Sequence, residues 1–296
     1  MADRKDWSAQ RWAIEISKLW RAVAGDTRFP VDVEAIAPDL SAARFPSDPV
    51  KAIKGGPLPN FEGALYPLGD PATGWAIIYN ESGVSLGRKR FTISHEFGHY
   101  LLHRTKLPNG IECDEQVVTR REGKGIEKEA DEFAATLLMP LDDFRARIGA
   151  DDKPSMDDLG GAADRYVVSL TAAALRWLEY TNRRAVFVVS RDGGAKWARS
   201  SQPAFKTGRF FRTAIETFML PDASLAAMGN FDADGKASGV LPAGVWFPEE
   251  VEETSLFTRR YDLTLTLLHL PKQVSGPRWF QDDVDEPDTF DKMTAR

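Results

Sequence analysis

The chain has 296 residues, of which 43% are hydrophobic and 28% are charged, and its formal net charge is −6 at pH 7. This composition allows one large hydrophobic core or two smaller ones. The single cysteine excludes an intrachain disulfide. No apolar run is long enough to span a membrane, and the N-terminus lacks the apolar core of a signal peptide. We therefore expect a cytoplasmic protein without a membrane partner.

The spacing of apolar residues in the first 154 residues predicts five helices and one strand. The strand, at residues 75–80, is expected to border a substrate cleft, where an edge strand can hold an extended peptide by backbone pairing. The predicted helices span residues 9–24, 30–40, 88–104, 126–139 and 141–148.

Three of the four histidines lie within nine residues on the third predicted helix. His95, Glu96 and His99 form the pattern His-Glu-x-x-His, which is typical of zinc peptidases. Residues four apart share a helix face and lie about 6 Å apart along the axis, so both imidazoles can bind one Zn²⁺ ion. Glu96 can then act as the general base on the water bound to that ion. The alternative is a half-buried helix with structural histidines, but it does not explain their clustering.

A carboxylate from the fourth predicted helix would complete a His₂Glu zinc site. Glu127 and Asp131 share a face of that helix, one turn apart. We predict that Glu127 is the ligand and that Asp131 accepts a hydrogen bond from the second ring nitrogen of a ligand histidine. Glu129 is the alternative ligand, although a solvated helix face is the simpler interpretation of it. His103 lies two turns from His95, where it can support a ligand from outside the coordination shell, face the substrate or lie at the surface.

Two segments of the chain, residues 88–103 with the sequence His-Glu-Phe-Gly-His and residues 127–140, resemble the ImmA/IrrE metallopeptidases. Residues 168–176 also resemble that family, and the similarity extends over residues 25–180. The resemblance implies cleavage of a helix-turn-helix repressor, which releases genes for the DNA-damage response, mobile-element excision or phage defence.

The same resemblance implies zinc at His95, His99 and Glu127, with Glu96 as the general base. The chain departs from the family at Asp131, where many members have Asn. This departure leaves the ligand set intact but affects the role predicted for Asp131.

Cys113 lies fourteen residues after His99 and fourteen before Glu127. A thiolate is a strong zinc ligand, and a catalytic zinc keeps one coordination position open for water. We therefore hypothesise that Cys113 is an inhibitory fourth ligand that keeps the enzyme latent until it is displaced. The simpler interpretation is a buried or half-exposed cysteine without such a role.

The second half of the chain has a different pattern of predicted elements, with more strands and fewer helices. A helix at residues 169–180 is followed by strands predicted at 185–190, 243–247 and 263–269 and by a helix at 212–219. The predicted fold class is therefore α+β, with a mostly helical peptidase domain that contains a small sheet. The predicted divisions are the zinc metallopeptidase domain at 1–155, a helical connector at 156–182, a small GAF/PAS-like α+β sensory or binding domain at 183–275, and an acidic tail at 276–296.

Residues 176–212 contain nine Lys or Arg residues and only two acidic residues, interleaved with aromatic residues. Cations that follow phosphates and aromatic rings on which bases stack are typical of single-stranded nucleic acid binding. Single-stranded DNA could then be the activator that displaces Cys113. In the alternative interpretation, the rings form a core and the cations are solvated or pair with the acidic tail. The candidate DNA contacts are Arg183, Arg184, Lys196, Trp197 and Arg199.

Two classes of function follow from these patterns. The first is a regulatory zinc endopeptidase that acts on a helix-turn-helix repressor. The second is a non-catalytic binding or sensor module that zinc stabilises. Glu96 separates them, because a structural zinc site does not need a general base. A general degradative peptidase fits less well with a sensory domain and a latent thiolate.

Overall fold

The computed structural model describes residues 7–58, 61–82, 84–113, 123–213, 215–216 and 218–272. Two units make up this part of the chain, and each contains two separate stretches: residues 7–144 and 163–169 in the first, and residues 145–162 and 170–272 in the second. The domain boundaries predicted from the sequence stay predictions. The predicted acidic tail at 276–296 lies outside the described residues.

The first unit contains a four-stranded sheet and the helices that surround it. Side chains cap three of these helices, since Ser8, Asp32 and Ser85 each accept a hydrogen bond from the backbone N–H three residues further on. Helix α5 (Leu141–Arg147) begins in this unit and α6 (Met156–Tyr166) ends in it. The other elements are α1 (Ala9–Ala24), α2 (Val33–Arg44), β1 (Val50–Gly56), β2 (Gly63–Leu68), β3 (Gly74–Asn80), α3 (Leu86–His103), β4 (Ile111–Cys113) and α4 (Gly123–Leu138).

The strand order of this sheet is β1-β3-β2-β4, with β1 parallel to β3 and the other pairs antiparallel. The predicted strand at 75–80 is confirmed as β3, but its predicted position beside the cleft as an edge strand is wrong. Its backbone pairs with β1 on one side and β2 on the other. The three-residue strand β4 forms one edge of the sheet and β1 forms the other, and Cys113 of β4 lies opposite Gly63 of β2.

Helix α3 packs against β2 and β3 on one side and against α4 on another. Gly98 permits the close approach of the two helices. A Cβ atom at this position would lie 3.1 Å from Cδ1 of Phe133 and 3.2 Å from Cα of Ala130. The segment that contains the histidines is therefore held between a sheet and a second helix, and this places its polar side chains in a buried environment.

The second unit contains a six-stranded antiparallel sheet with the strand order β7-β6-β5-β10-β9-β8. An apolar cluster that includes Val186, Leu268, Trp246 and Phe247 covers one face of the sheet. The elements are α7 (Leu170–Leu178), β5 (Ala185–Arg191), β6 (Gly194–Ser200), α8 (Gln202–Lys206), β7 (Phe218–Met219), α9 (Leu225–Met228), β8 (Lys236–Leu241), β9 (Val251–Thr258) and β10 (Leu263–His269).

Two predictions for this unit are wrong. Residues 243–247 form a turn rather than a strand, with Gly244 at a φ of 98°. Trp246 and Phe247 are buried in the apolar cluster. These residues are hydrophobic because the turn packs against the core, and not because they belong to a strand. The helix predicted at 212–219 is also wrong over its described residues, which contain a turn and then β7. Among the described residues, no helix is both long and apolar enough to cross a bilayer.

Candidate metal centre

Four buried side chains from three elements of the first unit converge on one point. Helix α3 supplies His95 and His99, α4 supplies Glu127 and β4 supplies Cys113. One ligand atom from each residue lies within 4.8 Å of the others. The structure thus brings together all four residues that the sequence predicted as metal ligands.

The distances within this group fit a single divalent ion. His95 Nε2 lies 3.0 Å from His99 Nε2 and 3.1 Å from Glu127 Oε2, and His99 Nε2 lies 3.4 Å from Glu127 Oε1. Donors bound at about 2.0–2.1 Å to a tetrahedral ion are separated by about 3.3 Å. Two imidazoles and a carboxylate, which together form a known set of ligands for catalytic metals, are therefore already at the required separations.

Glu96 is fully buried beside this group. Within the described part of the chain, neither of its carboxylate oxygens has a hydrogen-bond partner. Burial raises its pKa to about 7, although the neighbouring His95 and Cys113 act in the opposite direction. Burying a carboxylate without partners is costly, so its retention here points to an interaction with a group that binds in the site.

The ligand side chains influence one another's protonation. Burial opposes ionisation of Glu127, but hydrogen bonds with His95 and His99 outweigh it and lower the pKa of Glu127 to about 2. Burial lowers the pKa of His99 to about 4. Glu127 is therefore a carboxylate and His99 a neutral imidazole at pH 7, which are the forms that bind metal ions.

Cys113 is 8% exposed, and its Sγ lies 3.9 Å from Glu127 Oε1. Burial and the charge of Glu96 raise the pKa of this thiol well above its usual value. A metal ion deprotonates a coordinating thiol outright, so Cys113 can become a thiolate in this site when it binds an ion. The location of Cys113 is thus compatible with our hypothesis from the sequence that its thiolate is a fourth metal ligand.

The outer nitrogens of both histidines also have partners. His95 Nδ1 lies 2.9 Å from Asp131 Oδ1, as the sequence predicted for Asp131. His99 Nδ1 lies 3.0 Å from Nδ1 of His103, a residue of the same helix. Glu129, the alternative ligand, lies outside the group of four and contacts the far side of His103 at 2.8 Å.

The predicted DNA contacts belong to the second unit and have different exposures. Arg184 is 8% exposed, and its guanidinium forms two hydrogen bonds with Glu249. Lys196 is exposed, whereas the other three, Arg183, Trp197 and Arg199, are half-buried. Arg184 is thus engaged within the unit, and the other four residues retain some exposed surface.

Gly63 is a site residue that the sequence did not indicate. A Cβ atom at Gly63 would lie 2.5 Å from Glu96 Oε1 and 2.5 Å from Thr92 Cγ2. The absence of a side chain on β2 therefore makes room for the Glu96 carboxylate. A glycine within an apolar strand pattern is the sequence signal for such a close approach.

Residues 57–178 match the family model Peptidase_M78, described as the IrrE N-terminal-like domain. The matched segment contains Glu96 and all four residues of the converging group. No curated protein matches the chain.

Proposed function

Residues 57–178 belong to the ImmA/IrrE-type metallopeptidase family, and from this we propose that the protein is a regulatory zinc endopeptidase that cleaves a helix-turn-helix transcriptional repressor. One observation carries the proposal. The donor atoms of His95, His99 and Glu127 lie 3.0–3.4 Å apart beside the buried carboxylate of Glu96, whose oxygens have no hydrogen-bond partner among the described residues. This combination suits hydrolysis, since a purely structural site has no use for an additional buried carboxylate. A DNA-binding substrate also favours a cytoplasmic location.

In this proposal, His95, His99 and Glu127 hold the zinc ion. When bound, Zn²⁺ supplies Lewis acidity, which lowers the pKa of water and polarises a carbonyl group. Glu96 accepts the proton of the attacking water at a carboxylate oxygen and then delivers it to the amine that leaves. Its environment excludes bulk water, so the proton stays on this carboxylate between the two steps.

The direct test is incubation with the product of a neighbouring helix-turn-helix gene, analysed by gel electrophoresis and mass spectrometry. Glu96→Gln should lower cleavage about 10²–10⁴-fold, the usual contribution of a general base, while zinc content stays at the level of the wild type. Glu132→Gln is a matched control on α4, where Glu132 contacts Gln10 and not the site. Equal cleavage by the Glu96→Gln variant would reject the catalytic proposal and leave the alternative of a non-catalytic, zinc-stabilised sensor module.

We further propose that Cys113 keeps the enzyme latent as a fourth zinc ligand. Its burial, its distance of 3.9 Å from Glu127 Oε1 and its position on an edge strand support this role. Cys113→Ser and Cys113→Ala should raise basal cleavage about tenfold, which corresponds to a preference of about 1.4 kcal/mol for the latent form. Basal cleavage that stays at the wild-type level in both variants, with normal zinc content, would contradict latency.

Single-stranded DNA is the activator that we propose, bound through Arg183, Lys196, Trp197 and Arg199. The exposure of Lys196 and the partial exposure of the other three support these contacts. Cleavage should increase with single-stranded DNA at low salt and lose that increase at high salt, because phosphate contacts release counterions. No stimulation at low salt would reject the role of DNA. A six-stranded antiparallel sheet with helices also supports, at the level of architecture, a GAF/PAS-like sensory domain.

A further inference from the structure

A chain of three side chains extends from the candidate metal centre to the surface of the first unit. His99 Nδ1 lies 3.0 Å from His103 Nδ1, and His103 Nε2 lies 2.8 Å from Glu129 Oε2. Both imidazoles are fully buried, whereas the side chain of Glu129 is 55% exposed. Contacts at these distances are hydrogen bonds.

The hydrogen-bond partners assign the proton positions along this chain. His99 directs Nε2 toward His95 and Glu127, so a metal ion takes the lone pair of that nitrogen. The ring proton of His99 must then lie on Nδ1, where it is donated to Nδ1 of His103. His103 consequently carries its own proton on Nε2 and donates it to the Glu129 carboxylate. Each N–H donor of this chain thus has an acceptor, and the last acceptor is the carboxylate of Glu129.

We propose that His103 and Glu129 are positioning residues, which fix the tautomer and ring orientation of His99 as a metal ligand. The proposal rests on the metal centre proposed above and extends it by two residues. Outer partners of this kind orient ligand imidazoles and increase their basicity. His95 has the shorter equivalent, since Asp131 contacts its Nδ1 directly at 2.9 Å.

The same geometry argues against the other roles considered for these two residues. His103 directs one ring nitrogen toward the outer nitrogen of His99 and the other toward Glu129, so both are engaged away from the donor atoms. Glu129 lies outside the group of four converging residues, and its contact toward the centre in the described part of the chain is with His103. Neither His103 nor Glu129 is therefore positioned to bind the metal ion directly. His103 is also buried, which argues against a role at the protein surface.

The experiment measures Zn²⁺ affinity of the full-length chain by competition with a chromophoric chelator. His103→Phe and Glu129→Ala should each weaken binding about 10–100-fold. Glu129→Gln should lose less affinity, because its amide oxygen can still accept the proton of His103. Glu132→Gln, the control on the same helix, should bind Zn²⁺ like the wild type.

A second readout separates positioning from general stability. In the Co²⁺-loaded protein, the visible absorption band should shift in the Glu129→Ala variant and return toward the wild-type band in the Glu129→Gln variant. Because the Glu129 side chain is half-exposed, its truncation leaves the core intact even if His103→Phe fails to fold. Wild-type Zn²⁺ affinity together with an unchanged Co²⁺ band in Glu129→Ala would overturn the proposal.

The two proposals fail in distinguishable ways. If His99→Ala and Glu127→Ala bind Zn²⁺ as tightly as the wild type, the metal centre itself is wrong. If these two variants lose binding but Glu129→Ala does not, the metal centre stands and only the positioning chain fails.

Discussion

Gly63 and Glu96 form a contact that depends on the absence of a side chain. Glu96 reaches the candidate centre from α3, and β2 passes so close that a Cβ atom at Gly63 would lie 2.5 Å from its Oε1. Real Cβ atoms do not approach other atoms so closely, so the glycine determines where the carboxylate can lie. Position 63 is therefore part of the site although it supplies no functional group.

Gly63→Ala should lower peptidase activity about 100-fold, because a displacement of about 1 Å of a catalytic group has an effect of this size. Zinc affinity should change little, since Glu96 is outside the ligand group. Rates measured at saturating and limiting substrate, with zinc content determined in parallel, check this. Gly56→Ala is the matched strand control, because a Cβ atom there would meet no described residue within 4 Å apart from its own chain neighbours. Equal rates for the two variants would contradict the role assigned to Gly63.

At this scale the sequence predicted the groups on one helix and its partner well. His95 and His99 follow from helical spacing, which determines their geometry locally, whereas Glu127 was assigned as a carboxylate of the next predicted helix and reaches them through the packing of α4 on α3. Gly63 was missed, because a glycine beside an apolar run signals a close approach but does not identify its partner, which here lies 33 positions away. Glu129 was assigned as an alternative ligand for a related reason, since spacing alone does not show that His103 lies between it and the centre.

The pairing of α3 with α4 is the element-scale basis of the candidate centre. Helix α4 packs against both α1 and α3, so the position of Glu127 depends on the packing of the whole helix. Leu137 is fully buried on α4 and belongs to the core that holds it. Loss of this packing should therefore affect both stability and the metal ligands.

Leu137→Ala should lower the free energy of unfolding by about 2–5 kcal/mol, the usual effect of truncating a buried leucine. Leu19→Ala makes the same change on α1 at a position that is 48% exposed, and its effect should stay within about 0.5 kcal/mol. Urea unfolding followed by circular dichroism measures both. A loss in Leu137→Ala as small as that expected for Leu19→Ala would contradict the role assigned to Leu137.

Elements with a long regular pattern were predicted correctly, whereas the five-residue run at 243–247 was mistaken for a strand. The helices around 9–24 and 88–104 and the strand at 263–269 have their expected periodicity and agree with α1, α3 and β10. Residues 243–247 look like a strand only because Trp246 and Phe247 are buried from a turn. Hydrophobicity over five residues cannot distinguish these two causes of burial.

On the scale of the whole molecule, the second unit is built from two separate stretches of chain, residues 145–162 and 170–272, and polar contacts link the two stretches. His269 at the end of β10 is 6% exposed and donates from Nε2 to the carbonyl of Pro154 at 2.9 Å. Lys153 of the same stretch forms an ion pair with Glu252. Burial lowers the pKa of His269 to about 4, and the nearby Lys153 and Arg183 act in the same direction.

This pKa predicts that the protein loses stability as the pH falls from about 6.5 to about 4. In that interval the unfolded chain binds a proton at His269 and the folded protein does not, so protons favour unfolding. The effect is absent above pH 6.5 and reaches about 3 kcal/mol near pH 4. Urea unfolding of the wild type and of His269→Gln at several pH values checks this. An identical pH dependence in the two proteins would contradict it.

Strand β4 has only three residues, and it pairs with β2 while it carries Cys113. A strand of this length forms few backbone hydrogen bonds with its neighbour. An ion bound by the Cys113 thiolate would therefore help to hold β4 against β2. Removal of that ion would weaken the pairing of β4 with β2, and the backbone of β2 could then pair with an incoming peptide. Under the proposed latency, metal occupancy and access of substrate to the sheet are thus thermodynamically linked, and a chelator would act on both at once.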